Sequence, residues 1–171
     1  MSRHLIVDGY NLARSGTVLL PEDPAGPEGR GELCSLLSGY ARGKGLRLTV
    51  VFDALGAAAP LRTRQPFKGG TAVFSSRSET ADDVIRDLAR NATTGTIVVT
   101  SDRGLRGTLP TRDVAILSCE EFADLLSAYH LGEAKGTVDG EESGGGRKGK
   151  KGEGHRKKKR DRDREKVLRK L

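Results

Sequence analysis

Three aspartates follow short apolar or β-branched runs: Asp8 after His4-Leu-Ile-Val, Asp53 after Leu46–Phe52, and Asp102 just past Thr96-Ile-Val-Val-Thr100. A further acidic segment, Glu79-Thr80-Ala81-Asp82-Asp83, opens an amphipathic stretch. In an open parallel sheet, ligands bind outside the carboxyl ends of the strands, near the point where strand order reverses. These carboxylates are therefore placed to converge on one edge. Each alone has an ordinary use, because Asp is favoured at helix N-termini and in strand-to-helix turns. As a cluster they repel, by roughly 1–4 kcal/mol per close pair in water-accessible surroundings. A hard divalent cation, Mg²⁺ or Mn²⁺, relieves that repulsion, and carboxylates with water are its usual ligands. Such an ion lowers the pKa of a bound water and neutralises charge on a phosphodiester oxygen. The chemistry implied is hydrolytic and requires no His or Cys.

The spacing ranks the acids after residue 78. With Thr80 as N-cap, Asp83 is the third helical residue and can close a capping box, while Asp82 has no such duty. Asp82 still favours the helix dipole and could pair with Arg86 one turn on.

The elements that must position these groups alternate. Five strands are expected: His4–Asp8, Leu46–Asp53, Thr71–Ser75, Thr96–Thr100 and Asp113–Leu117. Helical periodicity covers Arg30–Arg42 and Thr80–Asn91, and Ser118-Cys-Glu-Glu121 opens a last helix with Phe122, Leu125, Leu126 and Tyr129 inward. This pattern predicts an α/β domain with a mainly parallel five-stranded sheet covered on both faces. Residues 54–70 hold Gly, Pro and the cations Arg62, Arg64 and Lys68 without helical period, and read as a loop.

The chain has 171 residues, enough for one domain and an appendage. Residues 1–132 carry 15 basic and 15 acidic side chains, so the whole net charge of +7 sits in residues 133–171. From 132 onward a Gly/Lys/Arg-rich sequence reads as a disordered basic tail, because it cannot bury enough surface to offset its ordering entropy. Its functional reading is an electrostatic arm for a polyanion. No run approaches the roughly 20 apolar residues of a membrane span. Strand-like sequence from His4 leaves no room for a secretory leader, and Cys34 and Cys119 lack metal-ligand spacing, so a cytoplasmic protein with reduced, packed thiols is expected.

Val7-Asp8-Gly9-Tyr10-Asn11-Leu12, Val50-Val51-Phe52-Asp53-Ala54, Glu79-Thr80-Ala81-Asp82-Asp83-Val84-Ile85 and Val99-Thr100-Ser101-Asp102-Arg103 occur in that order. Together they resemble the successive motifs of the YacP-like NYN domains over roughly residues 3–131. These are PIN-like bacterial ribonucleases, one branch of which is a ribosome-associated endoribonuclease that cuts mRNA during translation. The resemblance implies a PIN-like domain over residues 1–131 that hydrolyses single-stranded RNA with Mg²⁺ or Mn²⁺, leaving a 5′-phosphate and a 3′-hydroxyl. Asp8, Asp82 and Asp102 would carry the acidic metal centre. Asn11 would orient Asp8 or a metal water, with Asp83 or Glu79 in support. Asp53 fits the pattern too and is read as holding the neighbouring turns. Tyr10 could stack on a base or pack over the first helix, and Arg62, Arg64, Lys68 and Arg103 are candidate phosphate contacts. The sequence departs from the family in its Gly/Lys tail and its compact basic loop.

Other classes fare differently. A PIN-like module that binds RNA or the ribosome without cutting stays open. A response-regulator receiver fails, because no Lys lies between Lys68 and Lys135. Gly39–Gly45 follows a helix and ends in Gly where a P-loop needs Ser or Thr for Mg²⁺. Gly104–Gly107 is too short for a dinucleotide fingerprint. No nucleotide cofactor is supported, and His4, His130 and His155 are scattered and read as structural.

Overall fold

The computed structural model describes residues 3–21, 23, 26–54 and 59–135. The basic tail beyond 135 lies outside the described residues. In chain order the elements are β1 (His4–Asp8), α1 (Gly9–Arg14), α2 (Pro27–Gly43), β2 (Arg47–Phe52), β3 (Thr63–Phe67), β4 (Gly70–Phe74), α3 (Ala81–Arg90), β5 (Thr96–Val99), α4 (Arg103–Thr108), β6 (Val114–Leu117) and α5 (Cys119–Lys135). They form one sheet in the order β3-β4-β2-β1-β5-β6, parallel except for β3.

The expected α/β fold is present, with six strands rather than five. The extra strand, β3, lies inside the segment read as a loop. Its sequence TRQPF gives no apolar alternation because it is an edge strand whose middle residues face solvent. Pro66 is tolerated there, since an edge strand leaves one row of N–H groups unpaired. Lys68 and Gly69 make the reversal, Gly69 at φ +96°. Two six-residue helices, α1 and α4, were also not expected; each is too short to show a helical period.

Every residue of β1 is buried, and the strand pairs on both sides, with β2 and with β5. Such a strand is apolar on both faces. Leu5 and Val7 point into the core under α1, α2 and α5, with Phe52, Tyr40 and Phe122. Ile6 points into the smaller core under α3, with Val51, Val84 and Val98. Strand order reverses at β1: β2 and β4 lie on one side, β5 and β6 on the other. Both thiols are free and buried, and no described helix is long and apolar enough to cross a membrane.

His4 is a packing residue, as its position suggested. Its Nδ1 accepts from Arg47 at 2.9 Å, so Nε2 carries the hydrogen and donates to Thr49 Oγ1 at 2.8 Å. Burial, with the Arg47 charge second, lowers its pKa to about 4. A depressed histidine pKa means that the unfolded chain takes up the proton first. Stability is therefore full above the ordinary value near 6.5 and falls as pH drops towards 4, by up to about 3 kcal/mol. Urea unfolding at pH 7 and pH 5 should show a larger acid loss in the wild type than in His4→Leu. Equal losses would refute it.

Candidate active site

Asp8 ends β1 and caps α1: one carboxylate oxygen accepts the Asn11 N–H at 3.2 Å, and the other accepts the Thr100 hydroxyl at 3.1 Å. Thr100 in turn accepts the Asp102 N–H at 3.2 Å. Asp102 caps α4 through the Leu105 N–H at 2.7 Å. Asp53, just after β2, accepts the Ala81 N–H at 2.6 Å and so ties the end of β2 to the start of α3. Asp82 is the next residue along that helix. Each carboxylate is thus delivered to the carboxyl edge by a strand end or a helix start, at the place where strand order reverses.

The acids sense one another. Asp8 is 7% exposed, and its pKa is pushed up to about 6, first by burial and then by Asp82 and Asp53, against its two hydrogen bonds. Asp82, half-buried, is also raised, by burial first and then by Asp102, with Asp53 and Asp83 adding and Arg86 opposing. Asp53 therefore has both parts: it holds a turn, as expected, and contributes charge to the cluster.

Among the described residues, no three carboxylate, imidazole or thiol groups stand close enough to enclose a metal ion directly. The donor chemistry nonetheless fits a hard divalent cation. All the converging donors are carboxylate oxygens with lone pairs beyond the hydrogen bonds they accept, and Mg²⁺ is usually held by one or two carboxylates with its remaining positions hydrated. Cys119, the nearest soft donor, donates its S–H to Asn11 Oδ1 at 3.1 Å, and burial raises its pKa.

The other candidates separate. The Asn11 side-chain oxygen is engaged away from the Asp8 carboxylate's hydrogen bonds. It accepts the Ser101 N–H at 2.7 Å along with the Cys119 thiol, pinning the β5–α4 turn and the start of α5 onto α1. Only the Asn11 backbone N–H serves Asp8. Asp83 closes the capping box with Thr80 and meets Arg86 at 2.7 Å. Glu79 is held by Arg62 and by the Ser76 N–H, which keep its pKa low. Arg62 bridges Glu79 to Asp87 and is committed to the protein. Tyr10 is buried, packed edge-on against Phe52 at 5.1 Å with Arg14 over its ring, so it packs rather than offering a face. Arg64 is exposed and pairs with Val73, which faces the α3 side. Lys68 is exposed at the hairpin tip on the α2 side, and Arg103 is exposed beside Asp102. Thr100, which joins Asp8 to Asp102, was not singled out from the sequence. Its signal was a polar residue ending an apolar strand directly before Ser101-Asp102.

The model of the YacP-like NYN domain family matches residues 5–171. Among solved structures, a point variant of Rae1 (YacP) from Bacillus subtilis is similar at 25% identity and a TM-score of 0.60, over 77% of this chain and 78% of that chain. No curated protein matches.

Proposed function

The chain belongs to the YacP-like NYN domain family, and from that premise we propose that it is a metal-dependent endoribonuclease that hydrolyses single-stranded RNA. The observation that carries this is the buried Asp8 carboxylate at the reversal of strand order, its pKa raised partly by neighbouring acids. Asp8, Asp82 and Asp102 would hold one or two Mg²⁺ or Mn²⁺ ions, which when bound supply an activated water and neutralise phosphate charge.

The protein's own contribution is positioning. Thr100 and the Asn11 N–H fix both oxygens of Asp8, so its rotamer is set before substrate arrives. Asp82, half exposed in the first turn of α3, is the carboxylate proposed to meet the RNA strand. Arg103, adjacent to Asp102, is the proposed contact to a phosphate. mRNA presented by the ribosome in the cytoplasm is the substrate that family membership favours, with a 5′-phosphate and a 3′-hydroxyl as products.

A labelled single-stranded RNA, incubated with Mg²⁺, Mn²⁺ or EDTA and with or without translating ribosomes, tests the proposal. Cleavage should require the divalent ion and fall at least about 100-fold in Asp82→Asn, the scale of losing a preorganised electrostatic group. That no three donor groups among the described residues enclose a metal ion directly favours one competing reading, a binding module. RNA or ribosome binding with no cleavage under any condition would establish that instead.

A further inference from the structure

A groove of about 620 Å³ runs between α2 and the β3–β4 hairpin. Its floor is aromatic: Phe52 and Phe74 stack with ring centroids 5.5 Å apart, and Phe67 lies further along. Its walls carry Arg30, Arg42 and Lys68, and no acidic residue lines it, although the body's charges balance. Arg30 lies over Phe74 at 5.8 Å and donates to the Tyr10 hydroxyl at 3.1 Å. Among the described residues, Arg42 and Lys68 are exposed and make no ion pair. The hairpin tip is fastened to α2, where the Ser38 hydroxyl donates to the Lys68 carbonyl. Gly69 passes so close that a Cβ there would collide with Ser38. Lys68 is thus held at the far end of the groove.

The near end lies at the carboxyl edge of the sheet, where β2 and β4 finish in the paired Phe52 and Phe74. Phe52 directly precedes Asp53, and Tyr10, which holds Arg30, follows Asp8 by two positions. We infer that this groove binds the nucleotides flanking the scissile phosphate of single-stranded RNA, with bases on Phe67 and the Arg30–Phe74 pair and phosphates against Arg42 and Lys68. Aromatic faces and guanidinium planes are the platforms that unpaired bases use, and cations along a groove track the backbone. An apolar peptide would have no use for three cations, and a duplex could not place its stacked bases on the floor.

The inference rests on the ribonuclease reading, so the test separates the two. The full chain is titrated, in EDTA to prevent cleavage, into a fluorescently labelled single-stranded RNA at several salt concentrations. Arg42→Glu/Lys68→Glu should bind at least about tenfold more weakly at low salt and with a shallower salt slope, having lost two phosphate contacts. Arg90→Glu/Arg112→Glu, the same charge change elsewhere on the body, should bind nearly as wild type. Phe67→Leu should weaken binding by about tenfold with the slope unchanged, because stacking and not charge is lost. Crosslinking with 4-thiouridine RNA should label peptides of α2 and β3–β4. Equal losses in the two charge pairs, or crosslinks confined to other surfaces, would overturn the groove and leave the ribonuclease reading standing. A wild-type chain that neither binds nor cuts RNA would overturn both.

Discussion

Asp8→Asn is expected to raise the melting temperature of the metal-free protein and, in the same preparation, to abolish RNA cleavage. The two effects share one cause. Asp8 is ionised at neutral pH in a buried position among other acids, and its raised pKa measures what that ionisation costs the fold. A raised folded-state value means that the folded protein holds the proton longer than the unfolded chain. The cost is therefore absent below pH 4, grows through pH 6, and is complete above it. Asparagine has no charge to bury, and it remains a good N-cap for α1. The variant should gain about 1–3 kcal/mol above pH 7, or several degrees in Tm, and nothing near pH 4. Activity should fall at least about 100-fold, because the same charge is what the site uses. A loss of stability at pH 8 would show that the carboxylate is structural, and retained cleavage would remove Asp8 from the site.

Gly9→Ala has the opposite signature, losing stability and activity together. Gly9 is an ordinary helical residue by backbone angle, and alanine there would normally favour the helix by about 1 kcal/mol. Here an added Cβ would enter the Phe52 ring. Phe52 is 1% exposed and packed between Tyr10 and Phe74, so its ring can yield only by displacing those neighbours or turning towards the groove. Overpacking of this kind costs about 1–3 kcal/mol, which outweighs the gain in propensity. The movement also lands on both neighbouring carboxylates, since Gly9 follows Asp8 and Phe52 precedes Asp53. Cleavage should drop about tenfold or more, a scale that a misplacement of about 1 Å can reach. Trimming the ring in Gly9→Ala/Phe52→Leu should restore part of the stability. If Gly9→Ala melts like the wild type, close packing is not the reason for glycine in this motif.

How much of this could be read beforehand follows from the range of each interaction. The central strands were legible because burial on both faces forces an apolar run, as in Leu5-Ile6-Val7. The α3 capping box was legible because Thr80 and Asp83 are local partners. The acids at the strand ends were visible for the same reason. The unexpected elements obey other constraints. β3 is specified by its pairing with β4 and a two-residue turn, and its own side chains mostly meet water. The helices α1 and α4 are set by aspartate caps at the very positions that drew attention as chemistry, so capping and site are one feature. Charge is the least legible property. Arg62 looks in sequence like any cation of a basic loop, and only the fold reveals Glu79 and Asp87 beside it. Asn11 likewise shows a motif position but not its bond to Cys119, which lies 108 residues away.

The placement of β1 between β2 and β5 has a consequence in time. The hydrogen bond from Thr100 to Asp8 joins residues 92 positions apart, and the Asn11 contacts with Ser101 and Cys119 close loops of similar length. Non-local contacts form late, because the entropy of loop closure must be met before they contribute. During synthesis, β1, α1 and α2 emerge long before β5, so a growing chain carries Asp8 without its partners. The acidic cluster comes into being only when the last third of the sheet docks, and an unfinished chain holds no assembled site with which to damage RNA nearby.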